Sequence, residues 1–150
     1  MKFSCEKAVL QSAINTASRA VSAKSSIPAL EGLLLQCDHR LTVSGYNMQT
    51  GIRTFVEAEI GEPGILVLNA RLFGDIIRKL PDDVLVFQSD DKLNVTVTCG
   101  DAFFEIQGIS ADDYPDLPEV EDQYSEVSSE SNVLMIKKQL DRFWGDTPKK

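Results

Sequence analysis

The segment ILVLNARLFGDIIRKLP, residues 65–81, holds a complete strand-to-helix unit. The apolar residues 65–68 predict a short buried strand. Asn69 is suited to begin a helix, because its side-chain oxygen can accept a hydrogen bond from a free N–H of the first turn. Pro81 stops a helix. Between the two lies an apolar stripe at helical spacing, formed by Leu72, Phe73, Ile76, Ile77 and Leu80.

The pattern around this segment repeats once along the chain. Three predicted strands follow the helix, at residues 84–88, 93–98 and 102–107. Before the segment, a short strand at residues 2–5 and a helix at 7–22 are followed by strands at 33–37, 41–46 and 51–60. The order βαβββ therefore occurs twice. We predict an α+β fold in which two helices cover one face of antiparallel sheet, with the other sheet face turned outward.

The formal net charge of −8 is unevenly distributed among the 150 residues. Residues 112–130 contain eight acidic side chains, no basic one and two prolines. Such a composition is typical of a solvated connector. We therefore divide the chain into a domain at 1–118, an acidic linker at 119–131 and an incomplete start of a second domain at 132–150. In the last part, residues 133–140 have the spacing of a short amphipathic helix.

The two predicted helices are basic, although the chain as a whole is acidic. Segments 7–24 and 70–80 together contain six basic residues and one acid, Asp75. If both helices lie on one side of the sheet, their outer faces form a mildly basic surface that can follow a phosphate backbone without reading bases. Basic residues that merely keep the helices soluble are the alternative. The overall acidity argues against an ordinary nucleic-acid binder.

Motifs for catalysis are absent from the sequence. It contains no Gly-rich phosphate loop and no nucleophile motif. His39 is the sole histidine and falls in a predicted turn, and the paired aspartates fall in turns or in the linker. Three cysteines without CxxC spacing suggest neither disulfides nor zinc. We expect a cytoplasmic, non-catalytic protein with no metal, no cofactor and no membrane span.

Five stretches carry a resemblance to a known family. They are residues 1–3, 20–30, 33–35, 69–73 (Asn-Ala-Arg-Leu-Phe) and 111–118 (Ala-Asp-Asp-Tyr-Pro-Asp-Leu-Pro). Residues 1–118 are similar to the first domain of the bacterial sliding clamp, the DNA polymerase III beta subunit. The resemblance implies a DNA-clamp fold in three-domain subunits that assemble as head-to-tail homodimers. Such a ring encircles double-stranded DNA, its helices line the hole, and it tethers the polymerase without catalytic activity.

The resemblance also implies functional positions. Lys24, in the loop after the first helix, and Arg71, near the start of the second, match DNA-contacting positions. Leu72, Phe104 and Ile106 match the self-association surface, which is an edge strand with the adjoining helix. Adjacent strand residues point to opposite faces, so we expect one of Phe103 and Phe104 in the core and one exposed. Phe104 is the interface candidate, and a fully buried pair is the alternative.

The sequence also departs from the family. Residues 142–150 do not resemble the expected continuation, so we expect an isolated first domain that closes no ring by itself. The sites for polymerase and clamp loader belong to later domains of the family that this chain does not encode. The rival interpretations are an acidic scaffold or regulatory protein-binding domain without a DNA role, and a small hydrolase that uses the aspartate pairs.

Overall fold

The computed structural model describes residues 1–22 and 24–117 of the chain. The predicted linker and the predicted helix at 133–140 lie outside the described residues. The strands are β1 Lys2–Glu6, β2 Gly32–Cys37, β3 Leu41–Tyr46, β4 Gly51–Val56, β5 Glu59–Glu62, β6 Gly64–Asn69, β7 Val84–Ser89, β8 Asn94–Cys99 and β9 Ala102–Gln107. The helices are α1 Lys7–Ala17 and α2 Ala70–Lys79, and 3-10 turns occur at Ser18–Ala20, Pro28–Glu31 and Ala111–Asp113.

The strands form two antiparallel sheets, and the two repeats exchange their first strands. A five-stranded sheet has the order β5-β1-β7-β8-β9, and a four-stranded sheet has the order β4-β3-β2-β6. Strand β1 of the first repeat thus lies beside β7 of the second, while β6 of the second repeat lies beside β2 of the first. The predicted α+β duplication is confirmed. The predicted sheet is divided in two, and each sheet draws on both repeats.

The prediction of one strand at residues 51–60 was wrong. Residues 51–56 pair with the six residues of β3, from Tyr46↔Gly51 to Leu41↔Val56. A longer strand would extend beyond β3 without a partner for its backbone groups, and unpaired buried groups are costly. After Val56 the chain passes to the other sheet, where β5 pairs with β1. The first helix is also shorter than predicted, because residues 18–20 tighten into a 3-10 turn.

Both helices pack on the inner faces of the sheets and enclose the main core. Helix α1 contacts β4, β3 and α2, and α2 contacts β6 and β2. Phe3 and Phe87, on neighbouring strands, stack at 4.6 Å between ring centroids, and Phe73 of α2 meets Phe87 edge-on at 6.0 Å. The largest fully buried side chains are Phe3, Phe73, Phe87, Leu10, Ile14, Leu30, Leu33, Leu35, Leu41, Leu66, Leu68 and Ile77.

The expectation that the sheets would leave their other face outward fails for part of the four-stranded sheet. A second apolar cluster covers this outer face, where Tyr114 and Leu30 pack with Leu34, Tyr46 and Val67. A bridge between Val67 and Ile109 brings the chain from β9 back to β6, and this bridge delivers Tyr114 to the cluster. Strands β2 and β3 are therefore buried on both faces along most of their length.

Candidate nucleic-acid interface

Helix α2 begins as the sequence predicts. The side chain of Asn69 accepts a hydrogen bond from the backbone N–H of Leu72 at 2.9 Å, which satisfies one of the free donors at the helix start. This start fixes Arg71 on the first turn, where its side chain is exposed. Leu72 is 51% exposed, although the sequence pattern assigned it to the core stripe. The stripe that reaches the core comprises Phe73, Ile76, Ile77 and Leu80.

Lys24 lies exposed in a loop that local hydrogen bonds organise. Its carbonyl oxygen accepts from the hydroxyl of Ser22 at 2.7 Å. The backbone N–H of Ser25 donates to the carboxylate of Glu31 at 3.2 Å, and the N–H of Ile27 donates to the Ser25 hydroxyl at 3.1 Å. The loop therefore holds the Lys24 backbone in place while the ammonium group extends into solvent.

Helix α1 presents polar side chains on its exposed side. Ser12, Asn15 and, in the following 3-10 turn, Arg19 are exposed at spacings of three and four residues, which places them along one helical face. The first turn of α1 contains no acid. This face ends at Arg19, five residues before Lys24 in the chain. The exposed side of α1 thus ends in a basic group.

Two of the basic residues on the helices have structural partners. Lys7 is largely buried, its Nζ donates to the carbonyl oxygens of Leu80 at 2.7 Å and Arg78 at 3.2 Å, and it lies 3.9 Å from Asp82. Arg78 forms an ion pair with Asp75 one turn earlier. The basic surface is therefore smaller than the sequence count suggests. Among the residues described, the exposed basic side chains of this region without an ion pair are Arg19, Lys24, Arg71 and Lys79.

The proposed self-association residues differ in exposure. Strand β9 forms one end of the five-stranded sheet, as predicted for an edge strand. Phe103 is 58% exposed, whereas Phe104 is half-buried against the main core and Ile106 is buried. One aromatic is exposed and the other faces inward, so the alternative of a fully buried pair is wrong. The sequence carried this signal, because Phe104 and Ile106 are two residues apart and share one strand face.

The residues that suggested catalysis have local roles. Asp83 accepts from the N–H of Val84 at 2.7 Å, and Asp90 accepts from the N–H groups of Lys92 and Asn94 at 2.9 Å. Hydrogen bonds from Asn94 lower the pKa of Asp90. In the described part of the chain, no three His, Cys, Asp or Glu side chains are grouped as a metal site. Nor does any helix there have the length and apolar character needed to cross a membrane.

Comparison with known proteins gives one consistent family. Residues 1–118 match the family model described as "DNA polymerase III beta subunit, N-terminal domain". The chain belongs to the DNA polymerase III beta subunit family. The first-domain resemblance seen in the sequence is thereby confirmed, and the duplicated α+β architecture is the fold of that family's N-terminal domain.

Individual beta subunits show how much of the family this chain represents. It is 33% identical over 126 residues to the beta sliding clamp of Synechococcus elongatus. This alignment covers 82% of this chain and 34% of the relative. It is 34% identical over 131 residues to the beta sliding clamp of Streptomyces coelicolor, with coverage of 87% and 35%. The chain thus spans about a third of the length of these curated relatives.

Solved structures of beta subunits agree with the fold. A putative DNA polymerase III beta subunit from Eubacterium rectale superposes with a TM-score of 0.78 at 34% identity, covering 81% of this chain and 33% of that one. The DNA polymerase sliding clamp from Bacillus subtilis gives a TM-score of 0.77 at 29% identity, covering 81% and 34%.

Proposed function

We propose that this chain supplies the first domain of a DNA sliding clamp and that its helices face double-stranded DNA. The carrying observation is the group of exposed cations Arg19, Lys24, Arg71 and Lys79 on or beside the two packed helices of an otherwise acidic protein. Membership of the beta subunit family supports this assignment. The family gives no support to an acidic scaffold without a DNA role.

The proposed contacts suit sliding. Lysine and arginine side chains attract phosphates at any position along the duplex, and these contacts do not depend on the base sequence. The exposed Ser12 and Asn15 of α1 can hold water molecules that bridge to phosphates. Lys24 offers a point charge, whereas Arg71 can form a two-pronged contact with a phosphate. Weak contacts of this kind keep a ring on DNA while it moves, and they require no catalytic residue.

A length-completed version, in which the later domains of a relative follow residue 118, tests the DNA contacts. Lys24→Ala and Arg71→Ala should each reduce the slope of log affinity for duplex DNA against log salt by about 1, because each removes one phosphate contact. Lys92→Ala is the matched control, since Lys92 is an exposed lysine in the turn before β8, away from the helices. Slopes that match the control for both variants would refute the assignment of Lys24 and Arg71.

Self-association is proposed to use strand β9 and helix α2. Leu72 and the exposed part of Phe104 are the side-chain contacts, while Ile106, which is buried in the core, supports the strand. An edge strand has free backbone donors and acceptors that a second subunit can pair with. Leu72 gives the cleanest test, because its side chain is half exposed and does not support the core. In the length-completed protein, Leu72→Asp should raise the dimer dissociation constant by at least about tenfold, as burying a charge costs several kcal/mol. An unchanged constant removes Leu72 from the interface.

Polymerase and clamp-loader binding is proposed for later domains of the completed ring, acting on DNA in the cytoplasm. The function proposed for this chain is to form part of a wall around DNA. In a primer-extension assay, the length-completed ring should lengthen the products made per binding event without itself incorporating nucleotides.

A further inference from the structure

Strand β9 presents an exposed aromatic ring at the open edge of the five-stranded sheet. Phe103, Glu105 and Gln107 alternate with the inward-facing residues of this strand, so their side chains share the outer face of the sheet. All three are exposed. Val86, which is also exposed, lies in the same cross-strand row as Phe103, on the far side of Thr98. The outer face is therefore partly apolar where it reaches the β9 edge.

The backbone groups of the same three β9 residues face the open edge. The N–H of Gly108 donates to the carbonyl oxygen of Leu93 at 2.7 Å, so the backbone of Gly108 faces β8. Backbone groups of successive strand residues point to opposite sides, so those of Phe103, Glu105 and Gln107 point away from β8. An antiparallel partner strand can hydrogen-bond to them. Its residues opposite Phe103 and Glu105 then lie on the outer face, two positions apart.

A cleft of about 520 Å³ adjoins Glu105 on this outer face. Its lining crosses from Gln88 of β7 over Thr96 of β8 to Glu105, and it includes Asp90 in the turn before β8. Asp90 and Glu105 are the charged residues among the described lining, and none of these lining residues is basic. A long cationic side chain placed opposite Glu105 can therefore extend over the cleft and meet only negative charge in its lining.

Glu105 supplies the uncompensated charge of this cleft. Asp90 accepts hydrogen bonds from the backbone N–H groups of Lys92 and Asn94, and Lys92 also places a positive charge beside it. Glu105 has no ion pair among the described residues. The lysine of its own cross-strand row, Lys2, is three strand spacings away, about 14 Å. Exposed charges at that distance are largely screened at physiological salt.

We infer that the strand that pairs with β9 carries a lysine or arginine opposite Glu105 and an apolar side chain opposite Phe103. The inference rests on the proposed self-association through β9, and it names the chemistry of the edge strand that a second subunit supplies. Charge complementarity at Glu105 selects the cation, since opposite charges across antiparallel strands stabilise the pair and like charges destabilise it. An aliphatic side chain packs on the Phe103 ring in the same way.

Cyclised β-hairpin peptides test this chemistry with the 150-residue chain. Cyclisation removes most of the cost of ordering a strand, so the peptides are suitable probes of a single edge. One strand of each hairpin carries valine and, two positions away, either lysine or glutamate, and the two hairpins are otherwise identical. Titration into the isotope-labelled chain, followed through the backbone amide signals of Phe103 and Glu105, gives the dissociation constants. The lysine hairpin should bind at least about fivefold more tightly.

Charge reversal identifies the residue responsible. Glu105→Lys should reverse the order of the two hairpins. Glu59→Lys is the matched control, because it makes the same change of net charge at an exposed residue of β5, the opposite edge of the same sheet, and it should leave the order unchanged. Equal affinities of the two hairpins for the unaltered chain would overturn the inference, and so would the same affinity ratio in both variants.

The apolar contact is measured with a third hairpin, in which serine replaces the valine of the lysine hairpin. This change should weaken binding to the unaltered chain severalfold. The loss should shrink in Phe103→Thr and persist in Val86→Thr, because Val86 lies on an interior strand of the same face. A loss of the same size in both variants would contradict the assignment of Phe103.

The titrations also separate this inference from the proposal on which it rests. If no hairpin shifts the β9 amide signals, strand pairing at β9 is wrong, and the proposed self-association and the partner chemistry are both refuted. If the lysine and glutamate hairpins bind equally well, pairing at β9 stands and only the inferred partner chemistry is refuted.

Discussion

Lys7 ties the start of α1 to the end of α2 through the 2.7 Å hydrogen bond from its Nζ to the carbonyl oxygen of Leu80. The backbone N–H of Lys7 also donates to the carbonyl oxygen of Asp83 at 3.0 Å. The last carbonyls of a helix have no partners inside it, so a lysine from another element can satisfy them. Lys7 thereby links the two helices, and its side chain is largely buried between them and Asp82.

Replacing Lys7 should therefore affect stability more than DNA binding. Lys7→Met keeps most of the buried stem and removes the donors, so we expect the free energy of unfolding in urea to fall by about 1–3 kcal/mol. Lys79→Met is the control, because Lys79 is exposed on the last turn of α2, and it should change stability by less than about 0.5 kcal/mol. Equal effects would mean that the contact with Leu80 contributes nothing.

Asp75 should limit DNA affinity by holding Arg78. The pair is exposed and lies one helical turn apart, so breaking it should cost at most about 0.5 kcal/mol of stability. Asp75→Asn removes a negative charge from the helix face and frees Arg78 to reach a phosphate. In the length-completed protein, the salt slope for duplex DNA should become steeper by about 1. Asp91→Asn serves as the control, and a slope no steeper than that of the control would contradict the prediction.

Gly45 allows α1 to approach the sheet closely. A Cβ at this position would overlap the carbonyl oxygen of Ala17 and crowd the side chain of Val21. Gly45→Ala should therefore push the end of α1 outward and lower the free energy of unfolding by about 1–3 kcal/mol. Gly61→Ala is the matched comparison, because the nearest atoms there are 3.4 Å away. Thermal denaturation of both variants decides the point, and a Gly45→Ala protein as stable as Gly61→Ala would exclude this close contact.

Tyr114 should stabilise the outer cluster through its ring and not through its hydroxyl. The hydroxyl oxygen is buried and has no hydrogen-bond partner among the described residues. Tyr114→Phe should therefore keep or raise the free energy of unfolding at pH 7, whereas Tyr114→Ala should lower it by about 3–5 kcal/mol. If Tyr114→Phe costs as much as Tyr114→Ala, the hydroxyl has a partner after all.

The same residue predicts a pH dependence. Burial raises the pKa of the Tyr114 phenol in the folded protein above its ordinary value of about 10. The unfolded chain therefore releases this proton first, and folding loses stability as the pH rises above about 10. Urea denaturation between pH 9 and 11 should show a smaller loss for Tyr114→Phe than for the unaltered protein, and equal losses would refute the contribution.

Local patterns in the sequence were sufficient to predict most elements. The Asn69 cap, the stop at Pro81 and the alternation in 102–107 each depend on neighbouring residues, and each corresponds to an observed feature. The end of β4 at Val56 was not predictable in this way, because it depends on the length of β3. The position of Tyr114 depends on the Val67–Ile109 bridge, which joins residues 42 positions apart.

In the candidate site too, some features follow from neighbouring residues and others depend on residues far away in the sequence. Exposure of Arg71 follows from its place on the first turn of α2, and sequence spacing alone predicts it. The partners of Lys7 are more than 70 residues away along the chain, and no local pattern indicates them. A count of basic residues therefore overestimated the basic surface that we propose faces DNA, because Lys7 and Arg78 are paired with other groups of the folded protein.

The exchange of first strands between the repeats affects how the protein can be made. Strand β1 is complete at Glu6, but β7, the second of its two partners after β5, ends at Ser89, 83 residues later. At a synthesis rate of about 5–20 residues per second, β1 waits about 4–17 s for that partner. Neither half contains a complete sheet, so cutting the chain near Pro63 should leave two fragments that fold only on meeting. The two repeats are thus visible in the sequence, but the first cannot complete its fold before the second has been synthesised.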